Sequence, residues 1–361
     1  MKVYSLFLIS SGYVWSALLE FKKNSPPAIL YSESLPLSQN ENPDKNKLEK
    51  DILNSTALAA ANLAIVSKEK KLSLEGNIVV LAAPWYVGKT KIVTQSYKRN
   101  TAIKQEVIDD LIKEQINKFE NENDLRGAAT LENKITNVTL NGYSTTSPLN
   151  KKASSLAFSL FFSLTTKNLK TSLDEIFEKD LHFSSQQWHS MPVFLFGSLI
   201  NQLGVTDQPK DFLILDVGAE VSEISIVRRN TFLETASMPF GSNHVVRAVA
   251  EGFKMTIPLA SSLLRLQTEG GANEINAIRL KEVFSSQESI LKGLLLPSLV
   301  NLSAGLSLPP TVYLICDEYT KTFFKQILEE EDYSASALIG SKFNVIEIDF
   351  KIFCNSLLLN I

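Results

Sequence analysis

The sequence predicts an α/β protein, on three observations. Phe212–Leu215 is an unbroken apolar run of the kind shown by a strand buried on both faces, and it ends on Asp216-Val217-Gly218. Asn77–Ala83 is a second such run, stopped by Pro84. Before and after these runs, segments such as 48–66 and the one from Val245 are rich in helix formers or space their apolar residues at helical intervals. The chain has 361 residues, 44% of them hydrophobic, enough for a large core and a length near the two-domain boundary.

The elements are expected in this order. Ser5–Glu20 reads as a hairpin turning at Ser11-Gly12. It is not read as a secretory leader, because Ser10-Ser11-Gly12 interrupts the apolar run and no small-residue cleavage pattern follows. Residues 24–50, with Pro26, Pro27, Pro36 and Pro43, read as a strand and a long polar connection, and 48–66 as a helix. A helix is expected to start near Thr101, with Val107, Ile108, Leu111, Ile112 and Ile116 on one face. Strands follow at 134–140 and 156–164, separated by Asn141-Gly142-Tyr143 and the stretch Pro148 to Lys152. Glu223–Val227 alternates as the hairpin partner of Phe212–Leu215. A glycine turn at Gly241 then runs into an amphipathic helix from Val245. Thr311–Ile315 reads as a buried strand followed by a helix over 318–331. Phe343–Ile361 reads as further core, since only Lys351 is basic in it and an interfacial membrane helix needs a cationic face.

Composition excludes several classes. A net charge of −3 lacks the basic excess of a nucleic-acid-binding protein. Two cysteines, Cys316 and Cys354, and three histidines, His182, His189 and His244, show no metal-ligand spacing and no disulfide framework. Outside the N-terminal run, no stretch is long and apolar enough to span a bilayer.

The candidate chemistry lies at the turns. A glycine lets backbone N–H groups approach a phosphate, and a carboxylate just before it can hold the waters of Mg²⁺. Asp216, Gly218, Ser222, Glu223 and Gly241 are therefore the candidate nucleotide-binding residues, and Asp216 is the candidate metal residue. An Asp-x-Gly turn alone is equally an ordinary hairpin tip.

The order strand, Asp216-Val217-Gly218, second strand, Met238-Pro239-Phe240-Gly241, helix resembles the second phosphate-binding half of the actin-like ATPases, and within them the cell-division protein family FtsA. Asn141, Gly142, Tyr143, Pro148, Lys151, Lys152 and Ala153 match a further pattern carried by that family's inserted subdomain. On this pattern the resemblance leans to FtsA over the related pilus-assembly family PilM. It implies a duplicated, ribonuclease-H-like actin fold with an inserted SHS2-type subdomain: 1–84 the first half-domain, 85–177 the insert, and 178–361 the second half-domain with a helical part near 242–310.

The departures fall on the nucleotide chemistry. Leu8 stands where the family has its metal-positioning Asp and Ser10 where it has a glycine. Glu220 replaces a phosphate-loop glycine, Val221 and Ser222 its paired threonines, and Arg247 a helix Asp. Ala260–Leu264 lacks the family's Glu and Lys in register, and Cys316-Asp317 replaces a Gly-Gly turn, so that two Cβ atoms are expected to close the adenosine gap. ATP and Mg²⁺ binding is thus expected to be weak or lost. The implied role is a scaffold at the inner face of the cell membrane, cytoplasmic, contacting cell-division or pilus-assembly proteins or a second copy of itself, with membrane contact peripheral or through a partner. A working ATPase is the alternative. The interaction candidates are Asn141, Gly142, Tyr143, Pro148, Lys151 and Lys152.

Overall fold

In the computed structural model, the described residues are 2–22, 27–38, 44–125, 127–203, 210–271, 274–330, 333 and 342–348. The chain begins with an antiparallel meander of β1 (Lys2–Ile9), β2 (Tyr13–Phe21) and β3 (Ala28–Pro36). Helix α1 (Lys45–Glu69) follows, its first turn capped by the Asp44 carboxylate accepting from the Asn46 N–H at 3.0 Å. It leads to β4 (Leu74–Leu81), which pairs parallel to β1. Next come β5 (Val87–Ala102), α2 (Gln105–Glu122), β6 (Ala129–Leu140), β7 (Tyr143–Ser144) and β8 (Lys152–Thr165). Their strands make a separate sheet in the order β5-β8-β6-β7. Then α3 (Lys167–Leu181), β9 (Gln187–Ser190) and α4 (Met191–Leu203) return to the first sheet, which β9 completes as the order β3-β2-β1-β4-β9.

The rest of the chain repeats this plan. A meander of β10 (Phe212–Val217), β11 (Ser222–Arg228) and β12 (Thr231–Met238) is followed by helices α5 (Ser242–Phe253), α6 (Ile257–Thr268) and α7 (Glu274–Ser303). Strand β13 (Thr311–Ile315), α8 (Glu318–Glu330) and β14 (Asn344–Glu347) close the sheet in the order β12-β11-β10-β13-β14. Both five-stranded sheets thus have one layout: an antiparallel meander whose first strand is central, extended by two parallel strands reached through helices. This is an internal duplication, with the four-stranded sheet inserted after the fourth strand of the first copy.

Three apolar layers hold the halves. Alternate residues of β1 point to opposite sides. Val3, Phe7 and Ile9 pack outward with α1 and α3, while Tyr4, Leu6 and Leu8 pack inward with α4 and with Phe212, Ile214 and Tyr313 of the second sheet. The other face of β10 carries Leu213, Leu215 and Val217 into a core with α5, α6, α7 and α8. The insert reaches the second half directly. Phe161 of β8 meets Phe232 of β12 edge to face at 5.3 Å, Thr136 Oγ1 donates to Phe232 O at 3.2 Å, and Lys89 pairs with Glu234 at 2.9 Å.

Several expectations shift. Leu169, Leu173 and Phe177 belong to the first half's outer core, so α3 packs with α1 and the inserted sheet ends at Thr165. Strand β9 pairs with β4 of the first sheet, α4 packs between the two sheets, and the second copy of the meander starts at β10. Thr101 does not start a helix; it lies in β5, which runs to Ala102, and α2 begins at Gln105 with no side-chain cap. Strand β5 was hidden in the sequence because lysine, threonine and serine dominate both of its faces. In the C-terminal segment Phe343 is buried as core and β14 follows, whereas 349–361 lie outside the described residues. No helix among the described residues is long and apolar enough to cross a membrane.

Candidate functional site

The two duplicated meanders bring their first turns together. Ser10-Ser11-Gly12 tips the β1–β2 turn and Gly218-Ala219-Glu220 tips the β10–β11 turn, and the tips touch. A Cβ placed on Gly12 would lie 2.6 Å from the Ala219 Cβ, and the Glu220 N–H donates to Ser11 Oγ at 3.1 Å. The turns also close on their own polar groups. Ser10 Oγ accepts from the Gly12 and Tyr13 N–H groups at 3.2 and 3.1 Å, and Gly218 N–H donates to Val221 O at 3.2 Å.

The N-terminus of α5 sits on the second turn. Its free N–H groups, the natural partners of a phosphate, are taken: Ser242 N–H donates to Gly218 O at 3.0 Å and Asn243 N–H to Ala219 O at 2.9 Å. Gly241 is required by this approach, since a Cβ there would collide with the carbonyl oxygens of Gly218 and Ala219. Its own N–H donates to His244 Nδ1 at 3.1 Å. The Glu220 carboxylate turns toward the same helix, accepting from Arg247 Nη1 and Nη2 at 2.9 and 2.8 Å and from Asn243 Nδ2 at 2.8 Å. Burial opposes its ionisation, yet the hydrogen bonds from Arg247 and Asn243 and the Arg247 charge outweigh it and hold the carboxyl below its usual range.

Behind the turns lies an acidic group. Asp216 and Glu223 face each other across the β10–β11 pair. Glu223 is buried and accepts from Tyr86 Oη at 2.6 Å and Ser237 Oγ at 2.9 Å. Burial, then the charges of Glu223 and Asp317, push Asp216 up to about 8. Burial likewise raises the Cys316 thiol, which is inert as a nucleophile. Ser222 is fully buried and donates to Phe240 O at 2.6 Å, a structural tie between β11 and the approach to α5. Leu8 is fully buried in the layer between the two sheets.

The five candidate nucleotide residues are therefore gathered in one place, but their polar groups serve each other. Backbone groups of both turns and of the α5 N-terminus are engaged within the protein, and no group of three or more metal-ligating side chains occurs among the described residues. A cavity of about 550 Å³ lies between the halves and borders both turns, lined by Ser11, Gly12, Ala219, Asn243, Arg265 and Asp317 among others.

No protein-family model and no curated protein matches the sequence. Among solved structures, a chain of the PilM–PilN type IV pilus biogenesis complex superposes with a TM-score of 0.63 at 12% identity, covering 97% of this chain and 89% of that one. The chain has the actin-like fold. More distant matches are the ethanolamine utilization protein EutJ from Carboxydothermus hydrogenoformans (TM-score 0.45, 10% identity, 95% and 84% covered) and a Bacteroides thetaiotaomicron protein of actin-like ATPase fold (0.42, 10%, 98% and 95%).

The interaction candidates lie together at one end of the inserted sheet. Asn141 and Gly142 have φ of 53° and 83° and form the two-residue turn joining Leu140 to Tyr143. The Asn141 side-chain oxygen accepts from the N–H groups of Ser154 and Ser155 at 2.9 and 3.1 Å, so its task is to pin the turn to β8. Lys151 Nζ donates to Thr145 Oγ1 at 2.9 Å, bracing the loop that contains Pro148. Tyr143, 80% exposed, and Lys152 project from this end. A second groove of about 460 Å³ runs between the insert and the first half, lined by Lys45, Trp85, Tyr86, Leu125 and Lys167 among others. The Trp85 Nε1–H is buried with no hydrogen-bond partner.

The sequence reading found Glu220 and Arg247 as separate departures and missed that they pair. An acid gained in a turn and a base gained one helical turn or so into the following helix was the available signal.

Proposed function

We propose that this chain is a non-hydrolysing actin-like scaffold, of the kind that serves as a platform in a type IV pilus assembly. One observation carries the reading: the two turns that should part to admit a phosphate chain touch each other at Gly12 and Ala219, and their backbone groups are already bonded. The likeness to the PilM–PilN complex, which spans nearly the full length of both chains, supports a pilus platform over other actin-like roles. The Asn141–Ala153 pattern favours a second reading, a cell-division scaffold of FtsA type whose insert is an SHS2-type subdomain.

In either case the partner surface is the insert, at its exposed end around Tyr143 and Lys152 or in the groove at its foot. Deleting the insert is a poor test, because Phe161 and Tyr86 tie it into both halves. Surface substitution is the better one. Tyr143→Ser with Lys152→Glu, and separately Lys45→Glu with Lys167→Glu in the groove, should leave the melting temperature unchanged. One pair should end co-purification with pilus-assembly proteins from the native cell. Retrieval of division proteins instead would favour the second reading, and full retention of every partner by both pairs would sink the proposed surface.

A further inference from the structure

The carboxylate of Glu220 is placed as a bound anion would be. Helix α5 has 12 residues and directs its positive end at the β10–β11 turn. Around the carboxylate stand the forked Arg247 guanidinium, using both nitrogens, and the Asn243 amide, all at 2.8–2.9 Å. A planar guanidinium fork and an amide donor make up a donor set that selects an oxyanion. The site is largely shielded from water, with the Glu220 and Arg247 side chains 15% and 18% exposed. His244 stands beside it, its basicity lowered by burial and by the Arg247 charge, so that Arg247 supplies the cationic charge at neutral pH. The same Glu220 donates its backbone N–H to Ser11 Oγ in the other half of the molecule.

We propose that Arg247 and Asn243 form an oxyanion-binding site that Glu220 occupies in cis, and that this built-in ligand fixes the β10–β11 turn against α5, where a diffusible anion would otherwise be needed. The turn bearing Glu220 is short and anchored at both ends by β10 and β11. Its carboxylate is therefore present at an effective concentration that free phosphate in the cell does not match. The proposal goes beyond the scaffold reading, since it concerns what fills the site and not whether ATP is cleaved.

Removing the carboxylate while keeping the backbone tests it. Glu220→Ala is expected to melt at a lower temperature in an oxyanion-free chloride buffer. It should bind inorganic phosphate at least about tenfold more tightly than the intact chain, with recovery of much of the lost melting temperature. The double variant Glu220→Ala, Arg247→Met should lose this response. Equal phosphate responses in the intact chain and Glu220→Ala, at matched ionic strength, would overturn the proposal, as would a response that survives removal of Arg247. If Glu220→Ala does not fold, Glu220→Gln is read by amide exchange: exchange at Gly12, Tyr13 and Gly218 should rise about tenfold or more, and unchanged exchange there overturns the proposal. An ATP titration of the intact chain is a separate measurement, so failure of the scaffold reading and failure of this one are distinguishable.

Discussion

Restoring the missing acid at position 8 should damage the fold and return no activity. Leu8 is fully buried, paired with Trp15 on β2 and Val80 on β4, in the layer between the two sheets. Truncating a leucine in such a place costs about 2–5 kcal/mol, of which about 2–3 is lost burial and the rest the cavity. Aspartate adds polar atoms, and a carboxyl left without a partner there costs about 1–3 kcal/mol more even after it takes up a proton. Leu8→Asp is therefore expected to lose about 5 kcal/mol, which is on the scale of a whole domain's stability of about 5–15 kcal/mol. Leu8→Ala, the control, should lose about 3 kcal/mol. Urea unfolding with linear extrapolation separates them, provided that the slope is unchanged. A Leu8→Asp chain within about 1 kcal/mol of the parent, and binding Mg²⁺-ATP, would refute the reasoning: position 8 would then belong to an open cleft and not to the inter-sheet core.

Three further outcomes follow from the same geometry. Asp216 has its folded pKa raised to about 8, mainly by burial and then by Glu223 and Asp317. Its contribution is complete below the unfolded carboxylate value and is lost as pH rises toward 8. Asp216→Asn should therefore stabilise the protein increasingly between pH 5 and 8, by a difference on the order of 3 kcal/mol at about 1.4 kcal/mol per pH unit, and a gain independent of pH would contradict the assignment. Tyr86→Phe removes a buried donor from Glu223 and should cost about 1–3 kcal/mol in chemical denaturation; no loss would mean that the hydroxyl is replaced by water. Gly12→Val forces a side chain against Ala219 and should cost about 1–3 kcal/mol, with a measurable rise in radius by small-angle scattering as the turns part. An unchanged radius and stability would mean that the turns are not in contact.

Much of the architecture was legible because its strands are buried on both faces. Phe212–Leu215 and Asn77–Ala83 read as continuous apolar runs for that reason, and both lie in interior strands of their sheets. Strand β5 was not legible, since its residues are half-exposed and polar and its pairing with β8 is set by tertiary context. The limits of the insert were misread because α3 carries the same amphipathic pattern whichever sheet it covers; sequence gives the stripe but not its partner. At the site, the departures at Leu8, Glu220 and Arg247 could be read residue by residue. What joined them could not. The bond from Glu220 to Ser11 spans 209 positions, and no local signal reports it.

The central claim, that contact between the two turns has replaced a phosphate-binding cleft, is tested most directly by calorimetric titration of the intact chain with ATP and Mg²⁺. No saturable heat at millimolar nucleotide, and no phosphate release above the blank, is the expected result. Saturable, Mg²⁺-dependent binding with turnover that Asp216→Ala abolishes would contradict it.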